Sequence, residues 1–414
     1  ISTIHDALQD NPDLQVSILT DALRGTREAP KTSCASLLAS LVRDFGERVE
    51  IRMFHTPNLT GLRKSIVPKR INEGWGLQHM KLYGVDDELI LSGANLSDDY
   101  FTNRQDRYHV FSSKEITNYF KDVYDAVCKL SFAIKPSKDE GGFSMDWPTD
   151  NTGSSPLDDP KGFRARATKA LAPMIRPTAK TRAPSTVADT LVYPLLQFTP
   201  LLKPDTSTEL PTLTTVLKAL ATPRFRRSSW TFTAGYFNMT PEVRGLLLAT
   251  NPARATVIAA SPWANGFYGS KGVSGMLPDA YTVLARKFVK AVTQRGMSSR
   301  ISLKEWRKGT VNQPGGWTYH AKGLWVTLPN EKEPSISLVG SSNYTKRSYS
   351  LDLEANALIV TRNPSLMKRL AEEETWLQEH AKVVDQDEYA RNERRVGLRV
   401  RISMLIVTLL GGAL

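Results

Sequence analysis

Cysteine is scarce in this chain of 414 residues, which contains only Cys34 and Cys128. The sequence has no C-x-x-C pair and no cluster of cysteine and histidine at metal-ligand spacing. It therefore supports neither a disulfide scaffold nor a zinc site, and a reducing compartment fits best.

Acidic residues are also fewer than basic ones. The 42 Asp and Glu residues against 54 Lys and Arg residues give a net charge of +12. Such a charge suits an anionic partner, whether nucleic acid, an acidic membrane surface or a phosphorylated substrate, and does not choose among them. A hydrophobic fraction of 41% excludes a disordered tail, and the length allows two domains or one two-lobed unit.

The C-terminal end has an apolar stretch, Ile402 to Leu414, that is too short to span a bilayer as a helix. Five arginines precede it between Arg391 and Arg401. A basic flank beside apolar residues favours an interfacial element on anionic lipid, with docking on the core as the alternative. We therefore predict that residues 391–414 form a basic, apolar segment that contacts a membrane.

Regular periodicity lapses between Ile134 and Thr190, where Pro, Gly, Ser, Thr and Asp recur. This composition predicts a linker or insertion over residues 134–190 that adds little to either core. It separates a first lobe, residues 1–133, from a second lobe, residues 191–390.

The order of elements is the same on both sides of this linker. The first strand of each half begins 65 residues before a histidine, at Leu14 before His79 and at Ala255 before His320. An accidental match has no reason to reproduce that spacing, so the chain contains an internal repeat. The second half also has an earlier strand, "WTFTAGYFN", and we expect its counterpart, the opening strand of the first lobe, to lie upstream of Ile1.

Strands alternate with helices in each copy of the repeat. This predicts an α/β fold of two lobes related by a pseudo-twofold axis, each a mostly parallel sheet flanked by helices. We expect the active site at the interface between the lobes.

A short motif occurs once in each half. The first copy has His79, Lys81 and Asp86 in the spacing H-x-K-x(4)-D, followed by a small-residue turn with Asn95; the second has His320, Lys322 and Asn343, with Thr327 in place of the aspartate. Because side chains alternate along a strand, the histidine and lysine of each motif point to the same face. Two imidazoles and two ammonium groups make a poor core and a good receptor for phosphate. We take these histidines and lysines, together with Asp86, as catalytic candidates.

This set of residues permits nucleophilic displacement at phosphorus. One neutral imidazole attacks, and the second, protonated, donates to the leaving oxygen. The two lysines, with Asn95 and Asn343, hold the non-bridging oxygens as charge develops. The scheme requires no metal ion and no cofactor.

The paired motifs resemble those of the phospholipase D superfamily. Longer segments around the motifs are similar to those of the mitochondrial phosphatidylglycerophosphate synthases, among them "FHTPNLTGL", "YHAKGLW" and "GSSNYTKRSYSLDLEANALI". The resemblance covers both lobes, but not the linker or the last few dozen residues. It implies transfer of a phosphatidyl group from CDP-diacylglycerol to glycerol 3-phosphate, with CMP leaving, through a phosphatidyl-histidine intermediate on the route to phosphatidylglycerol and cardiolipin.

The same resemblance implies individual roles. By position, His79 matches the nucleophile, and His320 matches the acid that later serves as base. Asp106 and Glu354 match the acids that orient the histidines, crosswise between the lobes. Since orientation falls to those two acids, we expect Thr327 to be structural and the second lobe to be active.

Other residues are weaker candidates for substrate binding. Arg24 and Arg27 suit the phosphate of glycerol 3-phosphate, because guanidinium groups pair well with phosphate, although solvated loop arginines are the alternative. Tyr268 and Lys271 are candidates for the border of the cytidine or acyl entrance.

Two alternatives stay open at this point: another phospholipase D-type phosphodiesterase or nuclease, and a non-catalytic protein that binds anionic lipid. The preferred interpretation implies no nucleic-acid partner. It implies a mitochondrial protein, peripheral on the matrix side of the inner membrane.

Overall fold

The structure, a computed structural model, describes residues 1–28, 32–68, 72–139, 141–175 and 188–409, with side chains to residue 406. Its α-helices are α1 (Ser2–Asp10), α2 (Ala22–Gly25), α3 (Cys34–Phe45), α4 (Gly61–Ile66), α5 (Asp98–Thr102), α6 (Lys114–Cys128), α7 (Pro160–Ile175), α8 (Glu209–Leu220), α9 (Pro241–Ala249), α10 (Leu277–Gln294), α11 (Lys346–Ser350), α12 (Pro364–Leu377), α13 (Gln386–Ala390) and α14 (Leu398–Leu409).

The strands follow the same order along the chain. They are β1 (Val16–Asp21), β2 (Val49–Phe54), β3 (Leu82–Val85), β4 (Glu88–Ser92), β5 (Arg104–Gln105), β6 (Tyr108–Ser112), β7 (Phe132–Pro136), β8 (Phe143–Asp146), β9 (Thr190–Gln197), β10 (Ser229–Ala234), β11 (Arg254–Ala260), β12 (Ile301–Trp306), β13 (Thr318–Tyr319), β14 (Lys322–Thr327), β15 (Ile336–Gly340), β16 (Glu354–Thr361) and β17 (Ala381–Val384).

The second lobe is built on an eight-stranded sheet in the order β17-β12-β11-β10-β14-β15-β16-β9. Only the β10–β11 and β11–β12 pairs are parallel, and the others are antiparallel. The α/β class and the two lobes are confirmed, but the prediction of a mostly parallel sheet is wrong. The reason is that β14, β15 and β16 follow one another through short connections, of which the longest contains only the five-residue helix α11, and strands joined in this way pair antiparallel.

The first lobe distributes its strands over two sheets, β1-β2-β7-β8 and β3-β4-β6. In the second lobe β10 lies between β11 and β14, the strands that the repeat matches to β1 and β3. In the first lobe β1 and β3 belong to different sheets, and among the described residues no strand pairs with both of them as β10 pairs with β11 and β14. The expectation of a further opening strand stays a prediction.

The segment interpreted as a linker contains regular structure. It includes most of β7, all of β8 and the helix α7. The inward side chains of α7 are fully or nearly fully buried: Phe163, Ala167, Leu171 and Ile175. They join a core that also contains Phe120 of the first lobe and Ala355 of the second. The prediction that this segment adds little to the core is therefore wrong, because its apolar residues recur every four positions among many Pro and Gly residues.

A buried arginine joins the two lobes behind the motifs. The guanidinium of Arg107 donates to the carbonyl oxygens of Lys322 (3.2 Å) and Leu338 (2.9 Å). It also pairs with Glu373 at 2.8 Å and stacks over the ring of Trp325. A buried charge with several hydrogen-bond partners fixes the relative placement of the segments it touches.

Candidate active site

His79 is held by a segment from the other half of the chain. Its backbone N–H donates to the carbonyl of Leu353 (2.9 Å), and the N–H of Leu353 donates to Leu77 (2.8 Å). The next residue is Glu354, whose Oε2 lies 2.9 Å from Nδ1 of His79. The hydroxyl of Ser341 donates to the same oxygen at 2.5 Å. The short backbone pairing thus delivers an acid of the second lobe to the histidine of the first.

His320 is held in the same way with the lobes exchanged. Strand β13 pairs with β5, and the N–H of His320 donates to the carbonyl of Gln105 at 2.8 Å. The next residue is Asp106, whose Oδ2 lies 2.7 Å from Nδ1 of His320. The ammonium of Lys322 lies 2.8 Å from the same ring nitrogen and 3.2 Å from Nε2. The crosswise orientation of the two histidines is a property of the fold.

The four motif side chains meet in one buried cluster. His79, Lys81, His320 and Lys322 are all buried, and Lys322 is only 1% exposed. Besides burial, the charges that lower the pKa of His79 and of Lys81 include that of Lys322 from the other lobe. The structure therefore brings both motifs together at the interface between the lobes.

Burial sets the protonation of the imidazoles. It lowers the pKa of His79 well below its usual value, with help from the charge of Lys81. Burial and the charge of Lys322 lower the pKa of His320 to about 3. Both rings are therefore neutral at physiological pH in the free site.

The two orienting acids differ in their titration. Burial raises the pKa of Glu354 to about 7, against the opposing charge of Lys81. For Asp106, burial also acts to raise the pKa, but the Lys322 ammonium and His320 outweigh it and the pKa is lowered. Asp106 is thus ionised across the physiological range, whereas Glu354 changes charge within it.

The two lysines are the phosphate-binding candidates. The ammonium of Lys81 donates to the carbonyl of His79 at 2.6 Å, and that of Lys322 donates to the carbonyl of His320 at 3.0 Å. Burial lowers the pKa of both, that of Lys81 strongly and that of Lys322 to about 8. An anion entering the cluster offsets this cost of burial.

The small-residue turn after the first motif allows the backbone at Gly93 to lie close to the side chains of Lys322 and Asp106. A Cβ at Gly93 would lie 2.9 Å from Nζ of Lys322 and 3.1 Å from Oδ1 of Asp106. Two residues on, the amide of Asn95 donates to the hydroxyl of Tyr100 at 3.2 Å. In the second turn, Oδ1 of Asn343 is buried with no hydrogen-bond partner among the described residues.

Sequence reasoning missed two tyrosines that border His320. Tyr100 and Tyr236 both meet the imidazole edge to face, with ring centroids 5.2 and 5.3 Å away. The hydroxyl of Tyr100 lies 3.5 Å from Nε2, and Arg104 stacks over the Tyr100 ring. Neither tyrosine belongs to a spaced motif, so the sequence alone had no signal for them.

The structure does not bring Asp86 into the cluster, and its predicted catalytic place is corrected. Asp86 is exposed in the tight turn between β3 and β4, with a φ of 51°. The lysine of the motif is two residues after the histidine, but the hairpin carries the aspartate away from both. Thr327, its counterpart, ends β14 opposite Ser229.

The weaker candidates lie at different places. Arg24 and Arg27 both pair with Glu73. The backbone N–H groups of Arg24 and of Gln78, the residue before His79, both donate to the carboxylate of Asp21, which places Arg24 beside the cluster. Tyr268 follows β11 in an irregular loop, where its carbonyl accepts from Asn312 at 3.2 Å. Lys271 is exposed in the same loop.

One group of side chains has the ligand types and spacing of a candidate cation site. Ligand atoms of His79, Asp352 and Glu354 lie within 4.8 Å of one another, and the described residues contain no second group of this kind. Asp352 already pairs with Arg347 at 2.9 Å and accepts from the N–H of Leu77, and Glu354 accepts from Ser341. A cation there would compete with these partners.

The two histidine–lysine motifs that resemble those of the phospholipase D superfamily lie together in this fold, each histidine paired with an acid of the other lobe. The crystal structure of phosphatidylserine synthase from Haemophilus influenzae Rd KW20 superposes with a TM-score of 0.71 over 99% of this chain and 84% of that one; at 21% identity this likeness shows the fold alone. No protein-family model matches the chain.

Sequence comparison identifies the family. The chain is 45% identical over 418 residues to the CDP-diacylglycerol–glycerol-3-phosphate 3-phosphatidyltransferase of Saccharomyces pastorianus, covering 98% of this chain and 80% of the relative. It is 35% identical to the mitochondrial enzyme of that name from Homo sapiens, covering 97% of this chain and 73% of the relative. The chain belongs to the CDP-diacylglycerol–glycerol-3-phosphate 3-phosphatidyltransferase family.

Proposed function

We propose that this protein transfers the phosphatidyl group of CDP-diacylglycerol to glycerol 3-phosphate and releases CMP. The relatives carry this activity in their names. The observation that carries the proposal for this chain is the crosswise pairing of His79 with Glu354 and of His320 with Asp106. It supplies two oriented imidazoles, which a two-step transfer through a covalent intermediate needs.

His79 is the nucleophile of the first step. With Nδ1–H donating to Glu354, its Nε2 carries a free lone pair that attacks the phosphatidyl phosphorus. The N–P bond forms, the P–O bond to CMP breaks, and its electron pair leaves with CMP. A phosphate monoester has a second pKa of about 6, so CMP departs with little need for a proton.

His320 serves mainly the second step. The hydroxyl of glycerol 3-phosphate attacks phosphorus, its proton passes to Nε2 of the neutral His320, and the N–P bond breaks with its electron pair returning to His79. Asp106 supports the positive charge that His320 then gains. When the negative charge of a bound diphosphate raises the pKa of His320, the same ring can donate to departing CMP.

The remaining site residues hold the substrates. Lys81 and Lys322 stabilise the non-bridging oxygens, with the amides of Asn95 and Asn343 at the two turns. We assign the phosphate of glycerol 3-phosphate to Arg24, which is beside the cluster, with Arg27 sharing its partner Glu73. Tyr268 and Lys271 stay candidates for the entrance.

The location we propose is the matrix side of the mitochondrial inner membrane, with residues 391–414 in contact with anionic lipid and no nucleic-acid partner. In support, relatives from Homo sapiens and Mus musculus are named mitochondrial. Among the described helices, none has the length and apolar character needed to cross a bilayer. We retain residues 1–133 and 191–390 as the two lobes, with residues 134–190 as an insertion that packs between them through α7.

Incubation of the purified protein with CDP-diacylglycerol, with and without glycerol 3-phosphate, tests the proposal. When glycerol 3-phosphate is present, we expect CMP release and formation of phosphatidylglycerophosphate at an appreciable rate. Without it we expect neither at such a rate, and the His79→Ala variant should give neither product under any condition. CMP release with phosphatidic acid as the product, unaffected by glycerol 3-phosphate, would indicate a phosphodiesterase. Absence of CMP release under all conditions would indicate a non-catalytic lipid-binding protein.

A further inference from the structure

A cavity of about 490 Å³ lies outside the active site, where α10, α13 and the start of α14 meet. Its charged lining consists of three arginines, Arg286, Arg395 and Arg401. The other lining residues are Tyr389, Ala390, Val396 and Leu398, so no acidic side chain of the described residues lines the cavity. All three arginines are exposed, so solvent screens part of their mutual repulsion, and an anion between them would relieve the rest.

Two arginines of this region are paired with acids. Arg391 pairs with Glu388 at 3.1 Å, and the buried Arg394 pairs with Glu305. By contrast, none of the three cavity arginines has a carboxylate within salt-bridge distance in the part of the chain that the structure describes. Their charge is therefore available to a ligand, while their neighbours serve the fold.

An exposed apolar face adjoins the cavity. Helix α14 packs Val400 inward, and Ser403 contacts Sδ of Met276 before α10. Its opposite face leaves Leu398, Ile402, Leu405 and Ile406 exposed, at fractions from 48% to 72%. These four residues recur at intervals of three and four, so they form one stripe along the helix. Such a stripe is costly in water and favourable against acyl chains.

We propose that this cavity binds the phosphate headgroup of an individual anionic phospholipid of the bilayer, whose acyl chains lie along the exposed stripe of α14. The arginines match the charge of the phosphate, and the adjoining stripe matches the chains. This inference rests on the proposed contact of residues 391–414 with a membrane. It adds a defined lipid site, separate from the catalytic cluster, to what would otherwise be diffuse attraction.

The matched variants are Arg286→Gln, in the cavity, and Arg399→Gln, which removes the same charge from an exposed position of α14 outside it. Binding of the full chain is measured on phosphatidylcholine vesicles with and without phosphatidylglycerol. Loss of any arginine near an anionic surface is expected to weaken binding by roughly fivefold. For Arg286→Gln we expect a loss several times larger, confined to vesicles that contain phosphatidylglycerol. Equal losses for the two variants would overturn the proposal in favour of diffuse attraction.

A second measurement keeps lipid and free phosphate apart. Soluble dihexanoyl phosphatidylglycerol, below its micelle concentration, and inorganic phosphate are titrated separately into the wild-type chain and both variants, whose folding is checked by thermal melting. We expect the wild type and Arg399→Gln to bind the lipid more tightly than phosphate. We expect Arg286→Gln to bind the lipid only weakly. Phosphate binding as tight as lipid binding would overturn the assignment to a phospholipid.

Transferase assays in detergent mixed micelles separate this inference from the proposed function. Both variants should retain wild-type rates there, because neither residue belongs to the catalytic cluster. A wild-type chain that binds the lipid through Arg286 but makes no phosphatidylglycerophosphate would defeat the proposed function alone. An active chain in which Arg286→Gln and Arg399→Gln bind vesicles equally would defeat the lipid site alone.

Discussion

Nδ1 of His79 lies 2.9 Å from Oε2 of Glu354, a residue 275 positions further along the chain. The contact is prepared by backbone pairing of Leu353 with Leu77 and His79, so the acid arrives with the strand that carries it. A carboxylate at Nδ1 fixes the tautomer that leaves Nε2 free to attack. The proposed nucleophile of one lobe is thereby paired with its acid only when the two lobes are joined.

Glu354→Gln should therefore slow the transfer by about 10²- to 10⁴-fold, because the glutamine cannot support positive charge on His79. The pKa of Glu354 near 7 adds a pH signature. Below that pH the carboxyl is protonated and loses its acceptor role, so wild-type kcat/KM should fall as the pH drops through about 7. Steady-state kinetics across pH should show this limb in the wild type and not in the variant.

Asp86→Asn is the matched control for that experiment. Asp86 lies in an exposed turn with a positive φ, a conformation that asparagine also accepts. Its kcat/KM and pH profile should equal those of the wild type. A large loss in Asp86→Asn, with Glu354→Gln active, would return the orienting role to the motif aspartate.

Lys322 should produce the opposite limb of the profile. Burial lowers its pKa to about 8, so its ammonium is charged below that pH and neutral above it. Since the charged form is the one that we propose holds phosphate, kcat/KM should fall as the pH rises through about 8. Lys322→Arg keeps its charge, and its profile should stay flat there even though the altered geometry lowers its absolute rate. An unchanged alkaline limb in Lys322→Arg would assign the titration to another group.

Glu209 should make folding stability depend on pH. It is fully buried at the start of α8, and burial, with the charge of Glu354, raises its pKa to about 8. The folded state keeps a proton that the unfolded state releases above pH 4.5. The free energy of unfolding therefore falls as the pH rises from 4.5 to 8, by roughly 1.4 kcal/mol per pH unit.

Glu209→Gln removes this cost, and its melting temperature should fall less than that of the wild type between pH 5 and 8. Glu242→Gln, an exposed position in the first turn of α9, is the control and should follow the wild type. Parallel wild-type and Glu209→Gln melting curves across this range would show that Glu209 does not hold the proton.

A substitution in helix α7 tests whether residues 134–190 contribute to the core. Leu171 is fully buried in the core shared by both lobes, and Leu171→Ala should lower the free energy of unfolding by about 2–5 kcal/mol. Lys169→Ala, two residues earlier and exposed, should change it little. Denaturant unfolding monitored by circular dichroism gives both values, and equal stabilities would restore the original interpretation of a linker outside the core.

Sequence patterns carried the repeat, the α/β class and the four motif side chains, because local spacing and strand periodicity are visible in one chain. The crosswise acids came from resemblance, since no spacing rule relates Glu354 to His79. Tyr100, Tyr236 and Arg107 were missed because contacts over such separations depend on how the lobes pack. The motif itself misled at Asp86, where a tight hairpin turn directs the side chain to solvent.

The central claim is the division of labour between the two histidines, and trapping of the covalent intermediate tests it most directly. CDP-diacylglycerol radiolabelled in its phosphatidyl phosphate is incubated with wild type, His79→Ala and His320→Ala without glycerol 3-phosphate, and the labelled phosphohistidine is mapped under alkaline conditions. We predict label on His79 in the wild type and in His320→Ala, where subsequent transfer to glycerol 3-phosphate is slowed by about 10²- to 10⁴-fold, and no label in His79→Ala. Label on His320 in the His79→Ala protein would contradict the assignment, and an active wild type that carries no label on either histidine would contradict the covalent route.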